Sequence, residues 1–150
     1  MPARPRAEGR GIGSLTRADE RVRRLSPLLL CGLVLADGPV TAEELAALDL
    51  IGCELAVLSA CETALGEPRM AGQGIASLQL AFHRAGARTV LTSLWPVPDE
   101  ETRELMVEFY RNLWVDELPV HEALWRAKSA MRSRGRAASA WAGWVLTETS

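Results

Sequence analysis

Apolar residues recur along the chain with two periods, one typical of buried strands and one typical of amphipathic helices. Strands are predicted where apolar residues follow one another without a break, over residues 28–36 (interrupted at Gly32), 55–58 and 88–94. Helices are predicted where apolar residues return every three or four positions, over residues 74–85, 99–114 and 119–133. Residues 140–147 fit a short helix or a closing strand, and the alternation Trp144-Val145-Leu146 favours the strand.

The middle of the chain has the order strand, helix, strand, which is a βαβ unit. Its strands, 55–58 and 88–94, are therefore expected to be parallel, with a right-handed crossover. Upstream, Asp37-Gly38-Pro39 is predicted to be a turn. Thr41 and Glu44 have the spacing of a capping box, which predicts a short helix at about 42–47. The chain is thus expected to have an α/β fold.

Composition places these elements in one globular domain, since 48% of the 150 residues are apolar and 24% are charged. Residues 1–25 carry seven arginines and three acids, a charge of +4 that leaves −6 for the rest of the −2 total. We therefore expect a disordered basic tail over 1–25 and a domain over 26–150. The overall negative charge disfavours nucleic acid as a partner.

The cysteines and the terminal residues exclude several classes of protein. Cys31, Cys53 and Cys61 form no CxxC pair or Cys/His cluster, so neither a metal nor a cofactor is expected. The polar, arginine-rich N-terminus does not resemble a signal peptide. No apolar run approaches the roughly 20 residues that span a bilayer, so no membrane partner is expected. A cytoplasmic protein with reduced thiols is predicted.

Cys61 is the sharpest candidate for chemistry. Because parallel strands end at the same edge of a sheet, Cys61 and the segment 95–99 are expected to lie close together, where α/β sheets place functional groups. A thiolate there can act as a nucleophile if its pKa is lowered and amides bind the oxyanion. The alternative is a small buried hydrophobic residue. Cys31 and Cys53 are expected to be inert packing residues.

A base for Cys61 is hard to find, because His83 and His121 are the only histidines. His83 comes late in helix 74–85 and is expected at the opposite end from Cys61. His121 is expected in the solvated first turn of a later helix. Asp99 has two interpretations: it binds a basic substrate side chain, or it is a first-turn acid stabilised by the helix dipole.

Three motifs occur in order along the chain: LDLIGCELAVLSACETALGE, then GQGIASLQLAFHRAGARTVLTSLWPVPDEETRELMVEFYRNL, then WAGWVLT. Together they resemble the CHAT family of caspase-like modules, which are related to separase and often follow tetratricopeptide repeats. The resemblance runs from about Ser26 to Thr147.

This resemblance implies a caspase-like three-layer sandwich, with a mostly parallel sheet flanked by helices. It also implies a Cys/His dyad that cleaves peptide bonds, in a bacterial protein that acts on a protein or peptide substrate beside an upstream tetratricopeptide-repeat or sensor region. Cys61 matches the family nucleophile. Asp99 matches the acid that faces a basic P1 side chain in separase-like relatives. Ser93 to Trp95 are expected to flank the substrate, which can pair with them as an added strand.

The sequence departs from the family where the dyad histidine is expected, on a strand upstream of SPLLLCGLVLADG. The arginine-rich stretch stands there, and neither His83 nor His121 matches that histidine. The fold is therefore expected to be incomplete on its N-terminal side. Two hypotheses remain: a cysteine peptidase module that is truncated or decayed and inactive as this chain, and a non-catalytic scaffold that binds proteins or peptides. A Rossmann-like nucleotide binder is excluded because no glycine fingerprint follows the first strand.

Overall fold

The computed structural model describes residues 31–36, 38–59 and 71–149, which form five strands and five helices. The predicted tail 1–25, the first part of the 28–36 strand and Cys61 lie outside the described residues. The elements are β1 (Gly32–Leu35), β2 (Gly38–Thr41), α1 (Ala42–Ala46), β3 (Leu55–Leu58), α2 (Ala71–Ala85), β4 (Thr89–Ser93), α3 (Asp99–Trp114), α4 (Val120–Ser133), α5 (Ala138–Trp141) and β5 (Trp144–Glu148).

A three-stranded sheet in the order β3–β4–β5 forms the centre of the described fold. β3 and β4 are parallel, with Leu58 opposite Thr92, which confirms the parallel βαβ unit around α2. β5 is antiparallel to β4, with Trp144 opposite Ser93. The sheet is therefore mixed rather than mostly parallel, with one pairing of each kind among the described strands. Both readings of residues 140–147 hold in part, because α5 ends at Trp141 and β5 begins at Trp144.

Helices pack on both faces of this sheet because its strands have consecutive apolar residues, which point to opposite faces. On one face, Leu91 and Trp144 join α3, α4 and α5 in a core centred on Phe109, which is 0% exposed. On the other face, Leu58 packs against a second cluster that α2 supplies through Leu78 and Ala81. The second cluster also includes Cys31 and residues of α1, so β1, β2 and α1 lie on the α2 side. An α/β fold is thus confirmed.

The N-terminal strands differ from the prediction. The apolar run 28–36 was expected to be buried, yet Val34 is 74% and Leu35 is 51% exposed. Among the described strands β1 pairs only with β2, in a two-stranded hairpin that is separate from the central sheet. No described strand of the central sheet therefore pairs with the end of β1 that carries Val34 and Leu35. β2 begins at Gly38, where only a turn was predicted, and its Pro39 lies opposite Val34.

The start of α1 and the end of α2 are set by residues that are close together in the sequence. The capping box at Thr41 and Glu44 is present and starts α1 as predicted. At the end of α2, Gly86 has a φ of 112°, a backbone conformation that residues with a side chain rarely adopt. α2 itself begins at Ala71, three residues before the predicted start.

Candidate functional site

The carboxyl edge of β3 and β4 is the candidate site. Because Leu58 lies opposite Thr92, both strands end at this edge, and residues 93–99 cross it on the way to α3. Cys61 follows the end of β3 by three positions in sequence and lies outside the described residues. The described part of this edge consists mainly of the end of β4 and the segment that follows it.

Ser93 ends β4 with its side chain directed into the protein. It is 3% exposed, and its Oγ donates a hydrogen bond to the carbonyl oxygen of Trp95 at 2.6 Å. The next amide, Leu94 N, donates to Gly143 O at 2.9 Å and extends the pairing with β5 by one bond. Ser93 therefore orders the backbone that leads to Trp95.

Trp95 lies on the corner between α5 and β5. Its Nε1 donates to Ser139 O at 2.7 Å, and its ring covers Gly143. A Cβ at Gly143 would lie 2.6 Å from the indole Cε2, so the absence of a side chain there makes room for the ring. Trp95 stays 37% exposed, which leaves part of the indole open to solvent at the edge of the site.

Asp99 is exposed in the first turn of α3, beside Glu100 and Glu101. The turn before it is fixed by Val97, which is 5% exposed, and by Thr102, whose amide donates to Pro98 O at 3.0 Å. The start of α3 has no side-chain cap. The position fits both interpretations of Asp99, a dipole-stabilised acid and a carboxylate open to a cationic ligand.

Both histidines lie away from this edge, as predicted for His83. His83 is half-buried, with Nδ1 3.0 Å from Ala87 O and Nε2 2.8 Å from Thr147 Oγ1. Ala87 leads into the amino end of β4, so His83 links α2 to β5 at the opposite end of the sheet. His121 is exposed in the first turn of α4, and its neighbour Val120 lines a groove at the same amino end.

Neither of the two described cysteines is exposed. Cys31 is 2% exposed, and burial raises the pKa of its thiol, an effect that a hydrogen bond with Ser77 partly offsets. Cys53 is half-buried before β3. Within the described residues, no group of three His, Cys, Asp or Glu side chains can hold a metal ion. Their helices are also too short or too polar to cross a membrane.

Sequence reasoning missed Lys128 and Gly143. Lys128, half-buried on α4, donates from Nζ to Ala142 O at 3.3 Å and to Trp144 O. Burial lowers the pKa of this amine. A signal existed, because Lys128 is the only lysine in an arginine-rich chain. The role of Gly143 carried no local signal, since it depends on Trp95, which is distant in the sequence.

An open groove of about 810 Å³ lies at the amino ends of β3 and β4. Its apolar wall includes Leu55, Val57 and the stacked rings of Tyr110 and Trp114, whose centroids are 4.5 Å apart. Trp114 is 69% exposed and lines this groove. The groove thus lies at the opposite edge from Ser93, Trp95 and Asp99.

Comparison with known proteins gives two curated relatives and one matching family model. The chain is 36% identical over 110 residues to Tetratricopeptide repeat protein 28 of Mus musculus, a match that covers 71% of the chain and 4% of that protein. The human protein of the same name is 35% identical over 80 residues, 52% of the chain and 3% of the relative. Both relatives are mammalian and lend no support to a bacterial source. The family model of the CHAT domain matches residues 10–148, and the chain therefore belongs to the CHAT domain family.

Proposed function

We propose that this chain is a caspase-like CHAT module that binds an extended peptide at the carboxyl edge of β3 and β4, and that the 150 residues alone do not hydrolyse it. The observation that carries the proposal is the indole of Trp95, which is fixed by a hydrogen bond to Ser139 O and stays partly exposed at that edge. An aromatic surface beside a strand end suits an extended peptide, because the ring can cover apolar side chains of the peptide.

Cys61 is assigned as the nucleophile by its match to the family motif. Attack by sulfur needs a base to take the thiol proton. Both ring nitrogens of His83 are engaged by Ala87 O and Thr147 Oγ1, and His121 is exposed at the far end of the sheet. Since these are the only two histidines of the sequence, the chain by itself has no suitable base.

Asp99 is assigned as the group that selects a basic P1 side chain. Its carboxylate is exposed at the start of α3, four residues after Trp95, and two further acids follow it. An arginine or lysine bound here would gain a charge-assisted hydrogen bond with little desolvation of the carboxylate. Ser93 takes the role of a positioning residue, because its buried hydroxyl fixes the Trp95 carbonyl.

The alternative is a non-catalytic scaffold that keeps the same peptide-binding edge. The curated relatives are named for tetratricopeptide repeats, and this chain spans only 4% and 3% of them. We infer that a tetratricopeptide-repeat region, in the same protein or a partner, presents substrates to the module in the cytoplasm. The two hypotheses share peptide binding and differ only in whether Cys61 reacts.

Peptide binding is tested with fluorescein-labelled peptides that differ only at one position, which is Arg, Lys, Gly or Asp. Fluorescence anisotropy should give tighter binding of the basic peptides, and Asp99→Asn should weaken it about fivefold, as for one exposed ion pair of about 1 kcal/mol. Asp116→Asn is the matched control, because Asp116 is an exposed acid beyond the other end of α3. Equal affinity for all four peptides would overturn the proposal.

Hydrolysis is tested separately with fluorogenic peptides that carry Arg or Lys before the reporter group. The purified chain and its Cys61→Ala variant should release the reporter at the same background rate. Rapid release that Cys61→Ala abolishes would show that the chain has a working base and would overturn the proposed inactivity. Background release together with selective binding is the result expected for the proposal, and a non-catalytic scaffold would give the same result.

A further inference from the structure

The corner between α5 and β5 exposes three successive carbonyl groups that need donors from elsewhere in the fold. α5 has only four residues, too few to be stable as an isolated helix. The carbonyl of Gly143 accepts from Leu94 N at 2.9 Å. The carbonyls on either side, of Ala142 and Trp144, both accept from the amine of Lys128. The corner is thus fixed from two directions, by β4 and by α4.

Trp95 depends on the same corner. Its indole N–H bonds Ser139 O within α5, and its ring lies against Gly143, the residue between the two carbonyls that Lys128 binds. A shift of the corner would therefore move both contacts of the indole at once. The half-buried amine of Lys128 lies on α4 rather than in the site, so it acts on Trp95 through the backbone of 142–144.

A lysine suits this place better than an arginine. Its ammonium is compact and has three donors, which can reach two converging carbonyls, whereas a guanidinium is a wide planar fork. Of the 17 lysine and arginine residues of the chain, all but Lys128 are arginine. The one lysine is found where a small, half-buried donor is needed.

We propose that Lys128 is a positioning residue for Trp95, holding the Ala142–Trp144 corner so that the indole lies open at the peptide-binding edge. The proposal rests on the proposed function in one respect only, namely that the indole contacts a bound peptide. The position of the indole is measured without any peptide, so the two ideas can fail independently.

The test observes the indole directly by ¹⁵N–¹H NMR. The five tryptophans each give one Nε1–H signal, and Trp95→Phe identifies that of Trp95. Lys128→Met removes the donors and keeps an unbranched side chain. It should shift or broaden the Trp95 signal and speed its exchange with D₂O by about tenfold, as local opening does. The signals of Trp114 and Trp125, which lie outside the corner, should stay in place.

Two variants serve as controls. Arg126→Met removes an exposed cation from the same helix, one that pairs with Glu122 at 2.7 Å, and should leave the Trp95 signal unchanged. Gly143→Ala pushes the ring directly while Lys128 stays intact, and should move the signal, which verifies that it reports ring position. An unmoved Trp95 signal in a folded Lys128→Met protein would overturn the proposal.

A measurement on the unaltered chain covers the case in which Lys128→Met does not fold. The single lysine gives one ¹⁵Nζ–¹H correlation, which should be visible with slow proton exchange because two carbonyls hold the amine. A signal lost to fast exchange, like that of a solvated lysine, would overturn the proposal.

Peptide affinity completes the test. Lys128→Met should raise the peptide Kd by about tenfold if the indole contributes a typical aromatic contact. An indole shift with no peptide binding by the unaltered chain would remove the proposed function and leave the positioning role. Unchanged peptide affinity despite an indole shift would overturn the role of Lys128 in binding.

Discussion

Thr41 and Glu44 decide how a five-residue helix begins. Glu44 Oε2 accepts from Thr41 N at 2.8 Å, and Glu44 N donates back to Thr41 Oγ1 at 3.2 Å. The bond from the Thr41 amide, and then that from its hydroxyl, lower the pKa of Glu44 below 4.5, because they favour the charged carboxylate. A helix as short as α1 depends on such bonds, since its few internal bonds barely offset nucleation.

The stability that Glu44 contributes should depend on pH. It is present above pH 4.5, the ordinary pKa, and is lost as the pH falls through the lower pKa of the folded state. Glu44→Ala should therefore lower the free energy of unfolding at neutral pH more than Glu43→Ala, which removes an exposed acid from the same turn. Urea unfolding over a pH series should show this difference closing in acid. A difference that is independent of pH would contradict the role of the charge.

Single residues also mark the limit of sequence reasoning about the site. The capping box could be predicted because its partners are three positions apart. Asp99 could be placed at a helix start because that signal is also local: it directly follows Pro98. The burial of Ser93 and the contact of Trp95 with Gly143 depend on β5, which pairs with β4 from much later in the chain. Lys128 was missed because its acceptors are backbone carbonyls, which have no sequence signature.

At the scale of elements, amphipathic helices were predictable and the N-terminal hairpin was not. α3 has the predicted bounds, Asp99–Trp114, because its apolar period is regular and Pro98 marks its start. β2 has a glycine and a proline in four residues, a composition typical of turns. Its strand conformation comes from pairing with β1, a tertiary effect that local preference does not contain.

The contact between α3 and α4 includes one buried polar bond. Asn112, 4% exposed on α3, donates from Nδ2 to Ala123 O on α4 at 3.1 Å. Asn112→Ala should lower the free energy of unfolding by about 1–3 kcal/mol, because a buried bond is lost and a gap remains. Arg111→Ala, next to it and exposed, should cost under about 1 kcal/mol. Equal losses in thermal or urea unfolding would show that the Asn112 bond contributes nothing special.

At the scale of the whole molecule, the two edges of the sheet have different characters. The carboxyl edge carries hydrogen-bonded turns around Trp95, whose indole remains partly exposed. At the amino edge lies the apolar groove, beside β3, which pairs only with β4 among the described strands. An apolar groove with an exposed tryptophan is a surface prone to association.

We expect the purified chain to self-associate through this groove as its concentration rises. Trp114→Ser should shift the population toward monomer, because Trp114 is exposed and lines the groove. Trp125→Ser is the matched control, since Trp125 is similarly exposed at 66% but lies outside the groove lining. Sedimentation velocity over a concentration series measures the difference. A monomer at every concentration, or an equal effect of both substitutions, would contradict this prediction.

The pairing of β4 with β5 also bears on how the protein is made. During translation β4 leaves the ribosome before α3, α4 and α5, and the strand that completes its second edge follows all three. Trp144, 1% exposed in the finished core, is therefore among the last core side chains to be synthesised. Until it arrives, the nascent sheet has an uncovered edge and an unfilled core, the kind of intermediate that chaperones bind. A mutation that slows synthesis between β4 and β5 would prolong that exposure without changing any contact of the native fold.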